Sequence, residues 1–161
     1  MKKSEFRFSY EEYDSIDELP QEDAELLREA KAATNFAYAP YSHFHVGAAA
    51  RLSNGNLIKG ANQENASFPV GLCAERVLLS TASSLHPNVP IDTVAISYNN
   101  TLGESGHPIA PCGLCRQSLQ EFEDRMNHPI RVILGGKEGK VYVIPNSTSL
   151  LPFAFTKSEL K

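Results

Sequence analysis

Apolar and polar residues recur with different periods along the chain, and the changes of period mark out its elements. "FRFSY" (6–10) alternates apolar with polar, the two-residue period of a strand, and is read as a short N-terminal strand or an extended arm. "LPQEDAELLREAKAATNFAYAP" (19–40) instead carries Leu26, Leu27, Ala30, Ala33 and Ala37 on one helical stripe. Pro20 suits the first turn of that helix, Glu22, Asp23 and Glu25 complement the positive end of its dipole, and Pro40 stops it. "HVGAAARLSNGNLIKGAN" (45–62) has two strand-like runs around Asn54-Gly55, the turn chemistry of a β-hairpin. A second helix is predicted over "GLCAERVLLSTASSL" (71–85), ending before His86-Pro87. The branched residues of "DTVAISY" (92–98) read as a buried strand. "CGLCRQSLQEFEDRM" (112–126) is a third helix, and "IRVILGG" and "KVYVIP" are two closing strands. Helix, two strands, helix, strand, helix, two strands is an α/β order, a mixed sheet with helices packed on it.

Composition narrows what such a fold could act on. With 161 residues, 42% hydrophobic and 21% charged, the chain suits one domain with a sizeable core. The formal charge is −4 and basic residues gather on no segment, so a footprint for nucleic acid is missing and a small or weakly charged ligand is expected. Charged residues interrupt the opening "MKKSEFRFSYEEYDS" before a signal-peptide core can form. No stretch approaches the roughly 18 apolar residues of a membrane span. A cytoplasmic protein with reduced cysteines is the expectation, which argues against disulfides.

The chain has three cysteines, all at predicted helix starts. Cys73 opens one helix as "CAE", and Cys112 with Cys115 opens the next as "PCGLC". Cysteines three apart on a helical turn point to the same side, and helix N-termini favour thiolates. Three soft thiolates point to zinc, and three protein ligands leave one tetrahedral position for water, as in catalytic sites. Glu75, two residues after Cys73, could stand beside that water without binding the metal and move its protons. Two plainer readings stand beside this one. The "CxxC" could be half of a structural zinc site closed by Cys73 and one of His43, His45, His86, His107 or His128. It could also be a redox dithiol, which would have no need of Cys73.

"CAE" followed by "PCxxC" resembles the zinc-dependent nucleoside and nucleobase deaminases. "YAPYSHFHVGAA", "GANQENASFPVGLCAERVLL", "PCGLCRQSLQEF" and "LLPFAF" are similar to segments of the free cytidine deaminases, in the same order and at similar spacing over roughly residues 22 to 160. The resemblance implies a three-layer α/β/α cytidine deaminase-like fold with a mixed five-stranded sheet over 21–161, preceded by an N-terminal extension, 1–20. It implies Cys73, Cys112 and Cys115 as ligands of one zinc ion per chain, and Glu75 as the proton shuttle. Asn62 and Glu64 of "NQE" match the pair that bonds the ribose hydroxyls, with Ala66 beside them among the substrate contacts. Phe44 matches the aromatic that packs on the pyrimidine, and Arg76 an arginine that donates to the cysteine sulfurs. Phe155 matches an aromatic that reaches a neighbouring subunit's site in homotetrameric members.

The implied activity is hydrolytic deamination of cytidine and 2′-deoxycytidine in pyrimidine salvage. Rival readings are a deaminase of another amino-pyrimidine, such as a blasticidin-type antibiotic, and a zinc-stabilised binding module without activity. His45 departs from the family, which often has proline there. The polar loop 99–110 is placed at the site entrance, and the N-terminal segment is longer than in short members.

Overall fold

The structure is a computed structural model and describes residues 1–160. It contains β1 (Glu11–Tyr13), α1 (Gln21–Ala33), β2 (Phe44–Leu52), β3 (Leu57–Ala61), α2 (Ala74–Leu85), β4 (Ile91–Asn100), α3 (Gly113–Met126), β5 (Arg131–Gly135) and β6 (Val141–Ile144). The strands form one sheet in the order β1-β6-β5-β4-β2-β3. Only β4 and β5 pair in parallel; every other pairing is antiparallel.

Alternation along the central strands divides their side chains between two layers. Ala49, Ala95 and Ile133 face Leu26, Leu27 and Ala30 of α1. Their neighbours Ala48, Ala50, Val94, Ile96, Val132 and Leu134 face the opposite way, against Leu78, Leu79 and Ala82 of α2 and Leu119 of α3. Both faces are therefore covered, and β4 is buried without a break from Thr93 to Tyr98. The layering is the expected α/β/α. An ion pair ties its first helix to the sheet: the buried carboxylate of Asp23 in α1 accepts from both terminal nitrogens of Arg131 in β5, each at 2.7 Å.

Two expectations need correction. The sheet has six strands, not five. The additional one is β1, whose three residues pair with Val141–Val143 at the sheet edge. Its "EEY" carries no apolar alternation, so only backbone pairing and the Glu12–Lys140 ion pair reveal it. Of the two readings of 6–10, strand or arm, the structure has the arm, along which the rings of Phe6, Phe8 and Tyr10 follow one another at 6.4 Å before Tyr10 meets Tyr142 at 5.0 Å. Finally, α1 ends at Ala33 rather than running to Pro40. The Thr34 hydroxyl donates to the carbonyl of Lys31 at 2.7 Å, and the chain tightens into a single 3-10 turn before extending.

Two glycines set the hairpin that carries part of the site. Gly55 has φ +84°, the left-handed value that the tight β2–β3 turn requires. At Gly60 the backbone of β3 lies against the start of α2, and a Cβ there would stand 2.4 Å from the Ala74 carbonyl oxygen. Only glycine lets the helix start come so close.

Candidate active site

Both β3 and β4 run antiparallel to β2, so their carboxyl ends lie at the same end of the sheet. The helices that follow them, α2 and α3, therefore begin side by side. Their N-cap positions are Cys73 and Cys112, both in extended conformation with no side chain capping the helix. Residues that would ordinarily be serine or aspartate are here sulfur donors beside free backbone N–H groups. Cys115 follows within the first turn of α3 and is fully buried.

The three sulfurs lie within 4.8 Å of one another, with 3.8 Å from Cys73 to Cys112 and 3.4 Å from Cys112 to Cys115. Tetrahedral zinc with bonds of about 2.3 Å to sulfur needs sulfurs about 3.8 Å apart, so the donor set fits that ion. No histidine joins the cluster among the described residues, so the three sulfurs stand there without a fourth side-chain donor. Hydrogen bonds from the Cys115 and Cys112 thiols, with the positive Arg76 nearby, bring the Cys73 thiol down to about 6. The Cys115 thiol moves the other way, raised by donating to Cys73 and by burial. A cation bound between them is what would let all three thiols ionise.

Glu75 lies in the first turn of α2, on the same cavity as Cys73 and Cys112, and is 4% exposed. Burial raises its carboxyl above the usual range, opposed by its own backbone N–H and the Cys115 side chain. A cavity of about 730 Å³ opens on this group, within the size range of a small-molecule site. Its wall also includes Phe44, Asn62, Glu64 and Arg76, so most of the residues singled out in the sequence are brought together. Ile109 and Ala110 reach the same wall from the polar loop. Ala66 and Phe155 are not part of it. Ala66 is exposed, and Phe155 is 60% exposed on a tail whose carbonyl accepts from Gln117 at 2.7 Å.

The "NQE" pair is held by β2 and the loop before it. The Asn62 amide accepts from the Val46 N–H at 2.8 Å and donates to the Phe44 carbonyl at 2.9 Å, which settles its orientation and leaves one N–H free. Glu64 accepts from the Tyr41 N–H at 2.9 Å, the Ser42 N–H at 3.3 Å and the Ser42 hydroxyl. The hydroxyl bond is the main reason its carboxyl is held below the ordinary value. Three of about four lone-pair positions are then filled. The pair is left with one donor and one acceptor, the complement of a hydroxyl group. Ser42 and Tyr41 were not singled out in the sequence; the signal was the "YAPYS" motif itself, whose amides are aimed at Glu64 only once the loop is folded.

The sequence and fold have clear counterparts. A family model described as the cytidine and deoxycytidylate deaminase zinc-binding region matches residues 20–128. A cytidine deaminase of Halalkalibacterium halodurans is 40% identical over 135 residues, covering 84% of this chain and 95% of that one. The cytidine deaminase structure from Burkholderia pseudomallei superposes with a TM-score of 0.72 at 37% identity, covering 85% of this chain and all of that one. That from Mycobacterium tuberculosis gives 0.63 at 30% identity, over 81% and 94% of the two chains. With its sulfur cluster, its buried glutamate and these likenesses in accord, the chain belongs to the cytidine deaminase family.

Proposed function

We propose that this protein hydrolytically deaminates cytidine and 2′-deoxycytidine to uridine and 2′-deoxyuridine with release of ammonia, as a cytoplasmic enzyme of pyrimidine salvage. The observation that carries the reading is a buried glutamate set against a three-sulfur cluster, on a cavity that also holds the Asn62–Glu64 pair. Cys73, Cys112 and Cys115 would hold one zinc ion per chain, and zinc bound there lowers the pKa of a water from about 15.7 towards 7. Glu75 accepts the proton of that water and delivers it to ring N3 as the water oxygen bonds to C4. It then takes the remaining proton of the oxygen now bonded to C4 and passes it to the amine, so the C4–N bond breaks, ammonia leaves and the C4 carbonyl forms. Asn62 and Glu64 hold the sugar hydroxyl and Phe44 packs on the base, which fixes C4 over the reacting water. The positive charge of Arg76 offsets the surplus negative charge of three thiolates on one dication.

We read the active form as a homotetramer, with Phe155 reaching a neighbour's cavity. Supporting this are large apolar side chains left exposed on the single chain, among them Phe36, Phe68, Val70, Leu114, Phe153 and Phe155. Zinc-loaded protein incubated separately with cytidine, deoxycytidine, free cytosine and blasticidin S, followed by ultraviolet absorbance, tests the reading. Turnover of both nucleosides but not of cytosine is expected. Turnover of the antibiotic alone would keep the chemistry and change the substrate. No turnover of any of them at one zinc per chain would reduce the protein to a binding module.

A further inference from the structure

We propose that Tyr98 and His107 are positioning residues that hold the base-stacking wall of the cavity in register with the wall that leads to Cys112. The proposal rests on the reading of Phe44 as the ring that packs on the pyrimidine.

Phe44 is the first residue of β2, where a ring with one face on the cavity needs something rigid behind the other. Tyr98 supplies it. In the β2–β4 ladder Tyr98 stands opposite Val46, so its ring reaches Phe44 along the diagonal, a distance aromatic side chains can span. The two rings stack at 4.9 Å with 19° between their planes. Tyr98 is 1% exposed, and a buried phenol hydroxyl needs a partner. That partner is His107, whose Nδ1 lies 3.2 Å from the hydroxyl and whose ring meets the tyrosine edge-on at 5.8 Å.

His107 is itself held from behind. The neighbouring carbonyl of Ser105 accepts from the Lys137 N–H at 2.7 Å, and the Ser105 hydroxyl accepts from the Asn100 N–H at 2.8 Å. Gly136 passes so close that a Cβ there would stand 2.1 Å from the Ser105 carbonyl oxygen and 2.8 Å from that of His107. The loop therefore cannot slide relative to β5. Two residues beyond His107 the chain reaches Ile109 and Ala110 on the cavity wall, and then Pro111 and Cys112. The hydrogen bond between Tyr98 and His107 thus joins the ring behind the base to the segment that delivers a metal ligand. Holding both walls in place before substrate arrives lowers the ordering cost of binding, so the device acts on affinity for the base.

The test compares Tyr98→Phe, which keeps the stack and removes the hydroxyl, with His107→Ala and His107→Gln. Each is made alone and in a Phe44→Ala background. Cytidine kinetics, uridine affinity by calorimetry, zinc per chain and Tm are measured. Tyr98→Phe and His107→Ala should raise KM and the uridine Kd about three- to tenfold, the worth of one hydrogen bond. Zinc content should stay unchanged, and His107→Gln should recover most of the affinity. In the Phe44→Ala background the same changes should alter KM by less than about twofold. A role in folding alone would lower Tm and kcat and leave KM and Kd in place, which would overturn the proposal. So would unchanged affinity in Tyr98→Phe and His107→Ala when Phe44→Ala weakens binding. If Phe44→Ala leaves affinity unchanged, the base-stacking reading falls first and the proposal with it.

Discussion

At the scale of single residues, two buried carboxylates have different tasks. Glu75 is 4% exposed beside the sulfur cluster, and its carboxyl is raised by burial, which suits the proton carrier proposed for it. Glu75→Gln keeps the shape but cannot carry a proton, so kcat should fall by about a hundred- to ten-thousandfold with zinc content and Tm retained. Activity near that of the parent protein would refute the shuttle. Glu123, on α3, is structural. One of its oxygens accepts from the Ile130 N–H at 2.6 Å, the Ser147 hydroxyl at 3.0 Å and the Ser147 N–H at 3.2 Å, joining α3 to the segments flanking β5 and β6. Desolvation nonetheless leaves its carboxyl raised above the ordinary value. A raised carboxyl contributes stability that is complete below its unfolded pKa and is lost as pH rises through the folded one. Glu123→Gln retains an accepting oxygen and cannot ionise, so the Tm of variant minus parent should increase from pH 4.5 upwards. A difference independent of pH would mean that Glu123 does not titrate in that range.

At the scale of elements, the site depends on how closely helix starts approach strands. Cys73 and Glu75 are delivered by α2, and α2 rests on β3 only because Gly60 has no side chain. Gly60→Ala would place a methyl 2.4 Å from one backbone oxygen of α2 and 2.6 Å from the Leu78 nitrogen, so the helix start must move. We expect a loss of about 1–3 kcal/mol, the usual cost of overpacking, together with weaker zinc retention measured against a competing chelator. A variant with parental stability and zinc affinity would show that α2 is not held there. Elements were largely legible beforehand: the hairpin from Asn54-Gly55, α2 and α3 from their periodicity, and the later strands from their branched residues. The two that were misjudged are not decided by periodicity. β1 is polar and exists through pairing with β6, and the end of α1 is decided by a threonine hydroxyl competing for a carbonyl.

At the scale of the whole molecule, the question is whether one chain completes its own cavity. Phe155 lies off the wall and is 60% exposed, and its proposed place is a neighbouring subunit's cavity. If it serves a neighbour, Phe155→Ala should lose at least about tenfold in kcat/KM, the effect of truncating one well-packed aromatic anchor. Mixing that protein with Glu75→Gln, with subunit exchange, should then restore part of the activity. In a mixed assembly some sites combine an intact Glu75 with an intact Phe155 from the next chain. Activity that never exceeds the sum of the two separate proteins would place Phe155 outside the catalytic unit. Light scattering on the same samples should give four times the chain mass of 17.7 kDa.

The sequence by itself determined the chemistry: which residues could bind a metal, which could move a proton, and which helices and strands carry them. Those are properties of residue type and short spacing, and they survive in a linear string. The tertiary structure alone decided what stands beside what. It brought two N-caps separated by 39 residues to 3.8 Å, because β3 and β4 end at the same side of the sheet. It filled most of the hydrogen-bonding capacity of Asn62 and Glu64 from β2 and the loop before it, leaving one donor and one acceptor for a ligand. It also set Tyr98 between Phe44 and His107, an arrangement with no local signature, since contacts between distant segments arise only when the chain has closed its core.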